Sequence, residues 1–398
     1  MPRIFDDWLA AYMEHTLVSE APDQFHFWAG VSTVAGALRR RVWIEEYKYQ
    51  IVPNFYVALV APPGLVKKST AMRVGIAMLE KVPAVKIGPQ SITWQALTAA
   101  LQAAKITMPI GGERIPMSCL TIAIGELGTF LKPADDGLLS ALIAMWDGQL
   151  ETWTHQTLST GTTKVINPWL NIIGCTTPAW LRANFPDLML EGGLVSRVVF
   201  VYGDQKRRNI AFPSRHINAQ EFDSRRAKLI QDLIEIAQLK GPFTITEGAY
   251  KWGEAWYGAL DKTRPMELSS ERYAGFYSRK FVHAMKLAMI LSVARQDTLV
   301  IDEEDIILAA SKLEELEKPM MNVFQSIGTS FQTKHIAEII AFVKAFKTVS
   351  TDQLYRMCYM TMSRREFDEA LVAANKAGMI KIVKSNGHAM AQWITPAA

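Results

Sequence analysis

Residues 54–72, NFYVALVAPPGLVKKSTAM, constrain this chain more than any other stretch. An apolar, β-rich run from Phe55 to Val60 enters a Pro62-Pro63-Gly64 turn. Lys67, Lys68, Ser69 and Thr70 then stand where a helical pattern begins. Strand, tight loop and Lys-Ser at a helix start is the layout of a phosphate-binding loop. A helix N-terminus leaves backbone N–H groups unpaired and carries partial positive charge, so it holds an anion. A lysine adds charge for the outer phosphates, and a hydroxyl can hold Mg²⁺. Two registers against G-x-x-x-x-G-K-[ST] stay open. Lys68 with Ser69 puts Pro62 and Lys67 at the glycine positions; Lys67 as the lysine, with Gly64 from the turn, puts Lys68 where the hydroxyl belongs. The first is preferred. The plain alternative is a strand-to-helix turn with an exposed basic pair.

Strands and helices alternate from 42 to 202. The patterns predict a strand at 42–46, helices at 71–80 and 94–104, and a loop or hairpin at Gly111-Gly112. The apolar strand from Cys119 ends in Gly125-Glu126 and is expected beside the first strand. Its terminal carboxylate, Glu126, is the candidate base for activating water. A helix follows at 135–146. Residues 151–166, with His155 and Lys164, alternate as a hairpin with a polar tip. A buried strand at 169–175 ends in Thr176-Thr177, and Gly192-Gly193 precede Arg197 and the strand 198–202. A mainly parallel α/β sheet with the loop at its carboxyl edge is the expectation.

Two helices, 4–18 and 24–39, come first. Arg39-Arg40-Arg41 reads as cationic complement to the second helix's C-terminus. From 218 onward, helical patterns at 219–239, 246–262, 270–295 and 302–326 predict an all-helical domain. Residues 335–394 read as three helices and a hairpin with an Asn-Gly turn, a winged helix. Its third helix opens with the capping box Ser363-Arg364-Arg365-Glu366. Eight Lys/Arg against five Asp/Glu from 335 to 398 give this piece a net +3, which favours DNA contact narrowly over protein docking. The expected domains are 1–50, 51–208, 209–330 and 331–398.

A net charge of +4 and pI near 8.8 permit nucleic-acid binding without demanding it. Three scattered cysteines offer neither a disulfide framework nor zinc spacing, which fits a reducing cytoplasm. No secretory signal pattern is seen, and the apolar run 281–294 is too short to span a membrane.

The stretches PNFYVALVAPPGLVKKSTA, GPQSITWQAL, LTIAIGELGTFL, MWDGQLETW, NPWLNIIGCTTPAWL and GGLVSRVVFVYGD occur in an order that resembles phage- and prophage-encoded replicative-helicase-like ATPases. The core is also similar to MCM-type AAA+ helicases. The resemblance implies a three-layer P-loop NTPase core of the AAA+ type with an N-terminal helical segment, a helical lid and a C-terminal winged helix. It implies ATP and Mg²⁺ as cofactors, Gly64, Lys67, Lys68, Ser69 and Thr70 around the phosphates, and Ser69 on the metal. Glu126 would position water, Thr177 would sense the γ-phosphate, and Arg197 would reach a neighbour's ATP in trans. Arg279 or Lys286 would be the second sensor. Lys164 and His155 on the hairpin, with Arg364 and Arg365, would meet DNA. The implied protein is a ring-forming, hexameric DNA helicase in the cytoplasm, with a primase or other replication proteins as partners. The rivals are a non-hydrolysing AAA+ initiator or helicase loader, and a winged-helix regulator of an operator.

Overall fold

A computed structural model describes residues 3–90, 93–110, 112–131, 136–148, 152–157, 161–184, 193–264, 271–324, 331–385 and 388–394. The tip of the 151–166 hairpin, Gly111, Gly192 and the Asn-Gly turn at 386–387 lie outside them. The chain opens with α1 (Trp8–His15) and α2 (Asp23–Leu38), then a hairpin of β1 (Val42–Glu46) and β2 (Tyr49–Ile51). β3 (Tyr56–Val60) leads into α3 (Lys68–Leu79). Next come α4 (Trp94–Ala103), β4 (Lys105–Ile110), β5 (Glu113–Ile124) and α5 (Asp136–Asp147). β6 (Thr152–Thr157) and β7 (Gly161–Ile166) pair as an antiparallel hairpin, followed by β8 (Pro168–Thr176), α6 (Pro178–Asn184) and β9 (Val198–Tyr202).

The fold is mixed α/β. Its central sheet has the order β4-β5-β8-β3-β9, parallel except for β4. β3 and β8 are buried at every position, as strands covered on both faces must be. This corrects one expectation: the strand that ends before Glu126 does not lie beside β3, because β8 stands between them. The start of β5 is open to solvent and fits the side of the sheet that pairs with β4, while the wholly buried β8 takes the centre.

A second correction concerns the region after 218. Its helices are α7 (Ala219–Ile236), α8 (Glu247–Thr263), α9 (Glu271–Arg295), α10 (Glu303–Glu314) and α11 (Glu317–Phe324). Between them lie β10 (Gly241–Ile245) and β11 (Val300–Ile301), so the region is not all-helical. These strands pair with β1 in a separate sheet of order β11-β10-β1-β2, which also removes β1 from the central sheet. Such short segments have no alternation to read, and their stability comes from partners distant in sequence.

α2 is buried nearly all round, the mark of a central helix rather than a surface one. A Cβ added at Gly75 of α3 would lie 2.2 Å from the Thr33 hydroxyl of α2, and one at Gly36 of α2 would lie 2.5 Å from Leu79 of α3. The two helices meet backbone to backbone. Asn171 on β8 ties both layers, donating to Ser32 O at 3.0 Å and accepting from Phe55 N at 3.1 Å. The N-terminal helices therefore share a core with the sheet and with α7, α9 and α10.

Arg39 serves the end of α2, its Nε donating to Ala37 O at 3.1 Å, but the triplet also reaches elsewhere. Arg39 is buried and donates to Ala84 O at 2.7 Å and Ala237 O at 2.9 Å, and Arg41 donates to Ala237 O at 2.7 Å. Arg39 and Arg41 thereby cap the C-terminus of α7, where the last carbonyls of a helix need outside donors. Arg39 does so from a left-handed backbone, φ +58°.

Residues Met1–Phe324 form one compact unit and Gln325–Ala398 another. The second contains α12 (Phe331–Phe346), β12 (Thr348–Ser350), α13 (Thr351–Cys358), α14 (Arg364–Lys376), β13 (Ile380–Ser385) and β14 (His388–Trp393), with sheet order β12-β14-β13. Ile339, Val343, Leu354, Phe367 and Ile380 make its own core. The capping box at Ser363 and Glu366 is present in full. The three cysteines are free and buried. Among the described residues, no helix is long and apolar enough to cross a membrane.

Candidate functional site

The loop 61–67 leaves the carboxyl end of β3 at the middle of the sheet. Ala61 N donates to Thr176 O at 3.3 Å, so the loop starts level with the end of β8. Gly64 turns the chain at φ +71°, and nothing lies within 4 Å of where its Cβ would be. The glycine therefore supplies conformation, not space. α3 starts without a side-chain cap. Lys68 curls back over the loop, its Nζ donating to Ala61 O at 2.6 Å and Pro62 O at 3.4 Å. Ser69 and Thr70 are exposed beside it.

Glu126 lies at the same edge. Ile124 is paired with Gly174, so Glu126, two residues on, is level with Thr176. With strands about 4.8 Å apart, the axes of β3 and β5 are roughly 10 Å apart, which leaves space for a phosphate and a water between them. Partial burial raises the Glu126 carboxyl above its ordinary pKa, while the Lys68 ammonium pulls it back. Burial lowers Lys68, opposed by Cys175 and Glu126. A base with a raised pKa facing an ammonium in one opening is an arrangement suited to proton transfer. At Gly125, a Cβ would meet nothing within 4 Å, so the fold itself does not require glycine there.

Thr177 accepts from Trp180 N at 3.1 Å and so caps α6. Its neighbour Thr176, which the sequence reading passed over, is fully buried at the strand end, and its hydroxyl has no hydrogen-bond partner among the described residues.

Lys67 occupies the position of the second glycine and holds φ +54°, ψ +39°, the left-handed region. A residue with a Cβ pays about 1–2 kcal/mol there. Lys67→Gly is expected to raise the unfolding free energy by about 0.5–1 kcal/mol in urea titrations; destabilisation would show that the lysine side chain itself holds the loop.

Three other expected site residues are not at this edge. β9 pairs with β3 from Val198 opposite Tyr56, so Arg197 sits at the opposite end of the strands, about 16 Å away for a five-residue strand. It is buried and donates to Asp147 at 2.7 and 3.2 Å and to Gly193 O at 2.8 Å. Arg279 reaches the same Asp147 at 3.5 Å. Lys286 is fully buried; its Nζ donates to Asn54 Oδ1 at 2.5 Å and Trp146 O at 3.0 Å and lies 3.7 Å from the Trp146 ring centroid. Burial holds its pKa well below the ordinary lysine value. Lys286 is therefore a core tether for α9, and neither it nor Arg279 approaches the loop of its own chain. Asp147, which gathers the two arginines, went unnoticed in the sequence. Its signal was a carboxylate at a helix C-terminus, where the dipole disfavours it unless cations stand by.

Lys164 is exposed on β7 opposite Thr154, and His155 pairs with Thr163. The His155 side chain lies outside the described residues. Arg364 and Arg365 do not stand free: Arg364 pairs with Asp368 and Asp352, and Arg365 with Glu369 at 2.9 Å. These are exposed pairs that a phosphate could displace at small cost.

The chain matches no known protein family, and no curated protein is similar to it. Among the described residues, no three or more His, Cys, Asp or Glu side chains are grouped to hold a metal ion. A cation at the loop would rest on the Ser69 hydroxyl and on the oxygens of its own ligand.

Proposed function

We propose that the loop at 61–70 binds the phosphates of ATP with Mg²⁺ and that the chain is an ATP-dependent motor on DNA, a ring-forming replicative helicase of a phage or mobile element. The observation that carries this reading is the uncapped start of α3, with Lys68 folded onto the loop's own carbonyls and Glu126 two strands away on the same edge. Lys68 would exchange those carbonyls for phosphate oxygens. The first amides of α3 would cradle the anion, and the Ser69 hydroxyl would meet the metal. Glu126 would take the proton of the attacking water. The Thr176–Thr177 pair would face the outer phosphate from the end of β8.

Arg197 can serve only a neighbouring subunit, and only after release from Asp147; Arg279 would go with it rather than act as a sensor in its own subunit. Residues 331–394 would act as a winged helix and, like the 151–166 hairpin, would contact DNA. The expected setting is a host cytoplasm, with replication proteins such as a primase as partners.

A second reading is a non-hydrolysing AAA+ initiator or helicase loader. The lack of a carboxylate at Gly125 and the strained Lys67 favour it. ATP turnover by the purified chain with and without single-stranded DNA separates the two. DNA-stimulated hydrolysis supports the motor, nucleotide binding without turnover supports the loader, and failure to bind ATP sinks both.

A further inference from the structure

The β1–β2 turn carries an aromatic ring that fold stability does not explain. Glu46 pairs with Tyr49, leaving Tyr47-Lys48 as a two-residue hairpin turn. Turns of this kind favour Asn-Gly because the backbone turns left-handed. Here Tyr47 has φ +22° and its side chain is 95% exposed. The position thus pays for an unfavourable backbone and for an apolar surface in water. The Lys48 ammonium stands 5.2 Å from the Tyr47 ring centroid, and Tyr49 beside it is half-exposed.

This turn borders an open cleft of about 780 Å³, lined also by Trp43, Arg40 and, at the foot of the β6–β7 hairpin, Thr152. Arg40 donates only to Pro168 O, at 3.4 Å, and has no carboxylate partner among the described residues; neither has Lys48. Glu45, the acidic residue of the lining, is occupied by the Trp43 indole N–H at 2.6 Å. Aromatic faces interleaved with unpaired cations are what a single strand of nucleic acid requires: rings for bases, charges for phosphates.

We infer that the cleft between the Tyr47–Lys48 turn and the foot of the β6–β7 hairpin binds single-stranded nucleic acid, with Tyr47 and Tyr49 stacking on bases and Lys48 and Arg40 meeting phosphates. This rests on the proposed action on DNA and assigns it a place outside the winged-helix unit.

The test is fluorescence anisotropy of a labelled oligothymidylate of about 30 nucleotides with the full chain. Tyr47→Ala should weaken binding about ten-fold or more, and Tyr47→Phe should retain it. Lys48→Ala should lower the salt slope of log K by about 0.7. Tyr47→Asn should bind as weakly as Tyr47→Ala while unfolding no more easily than wild type, which separates lost binding from lost fold. Unchanged affinity in Tyr47→Ala, with wild type binding well, overturns the assignment of the cleft and leaves the motor reading in place. No oligothymidylate binding by wild type overturns both. Binding of polyglutamate that Tyr47→Ala removes, without oligothymidylate binding, gives the cleft to an acidic protein segment and overturns the inference.

Discussion

Lys68→Ala is expected to lose ATP binding and at least about 100-fold of turnover, whereas Glu126→Gln keeps binding and loses about 10²–10⁴ of turnover. The split follows from where the two groups stand. Lys68 is the charge nearest the loop, and its hydrogen bonds go to the loop's own carbonyls Ala61 O and Pro62 O. Removing it leaves solvent-accessible acceptors rather than a cavity, so the fold should survive. Glu126 faces the same opening from the end of β5, with a carboxyl that partial burial raises above its ordinary pKa. Its amide analogue keeps the shape and removes the basicity. Equilibrium binding of a fluorescent ATP analogue and steady-state hydrolysis report the two effects separately. Wild-type turnover in both variants would remove the assigned site. Full loss in Lys67→Ala with activity in Lys68→Ala would move the register by one residue.

The second large effect is acid lability. His26 and His283 are fully buried, and burial holds both pKa values down to about 3, with Arg207 near His26 and Lys286, Arg279 and Arg197 near His283 acting in the same direction. His283 donates its Nε2–H to Ser196 O at 3.0 Å as a neutral ring, and its Nδ1 has no hydrogen-bond partner among the described residues. In the unfolded chain these rings take up protons near pH 6.5. Below that pH the unfolded state binds protons that the folded state refuses, so stability falls as pH falls. Each ring contributes about 1.4 kcal/mol per pH unit down to its folded pKa. His15, lowered to about 4, adds in the same direction. Asp305, raised by burial to about 6, opposes one of them below that pH. The net is a loss of roughly 5 kcal/mol between pH 6.5 and 4.5, a large share of the stability of an ordinary domain. Urea unfolding midpoints at the two pH values check it, and a midpoint that does not move would sink the argument.

How legible the structure was depended on the range of the interactions. The strand-to-loop-to-helix passage at 54–72, the hairpin at 151–166 and the three helices with hairpin at the C-terminal end all follow from local period, turns and caps, and the structure contains them. The sequence put Lys68, Glu126 and Thr177 at strand ends, and the parallel register brings those ends to one edge. Strand order was not legible, because β8 between β3 and β5 reflects burial competition among three similar apolar runs. The second sheet was not legible either, since β1 pairs with β10 across some 200 residues and β10 with β11 across some 56. Lys286 was offered, with Arg279, as a ligand-facing cation on the strength of the resemblance. Only the structure shows Asn54 and Trp146 closing over it.

The pairing of β1 with β10 and β11 bears on how the chain is made. α2, with Phe25, Trp28, Val31 and Val34 buried in the finished protein, leaves the ribosome early. Its surroundings are complete only when α9 and α10 have emerged. At about 5–20 residues per second, that interval is on the order of tens of seconds. During it a helix apolar on nearly every side has α3 and the sheet on one face and nothing yet on the other, so synthesis of this protein should lean on a holding chaperone. Truncations that end before 302 should aggregate rather than yield a smaller working core.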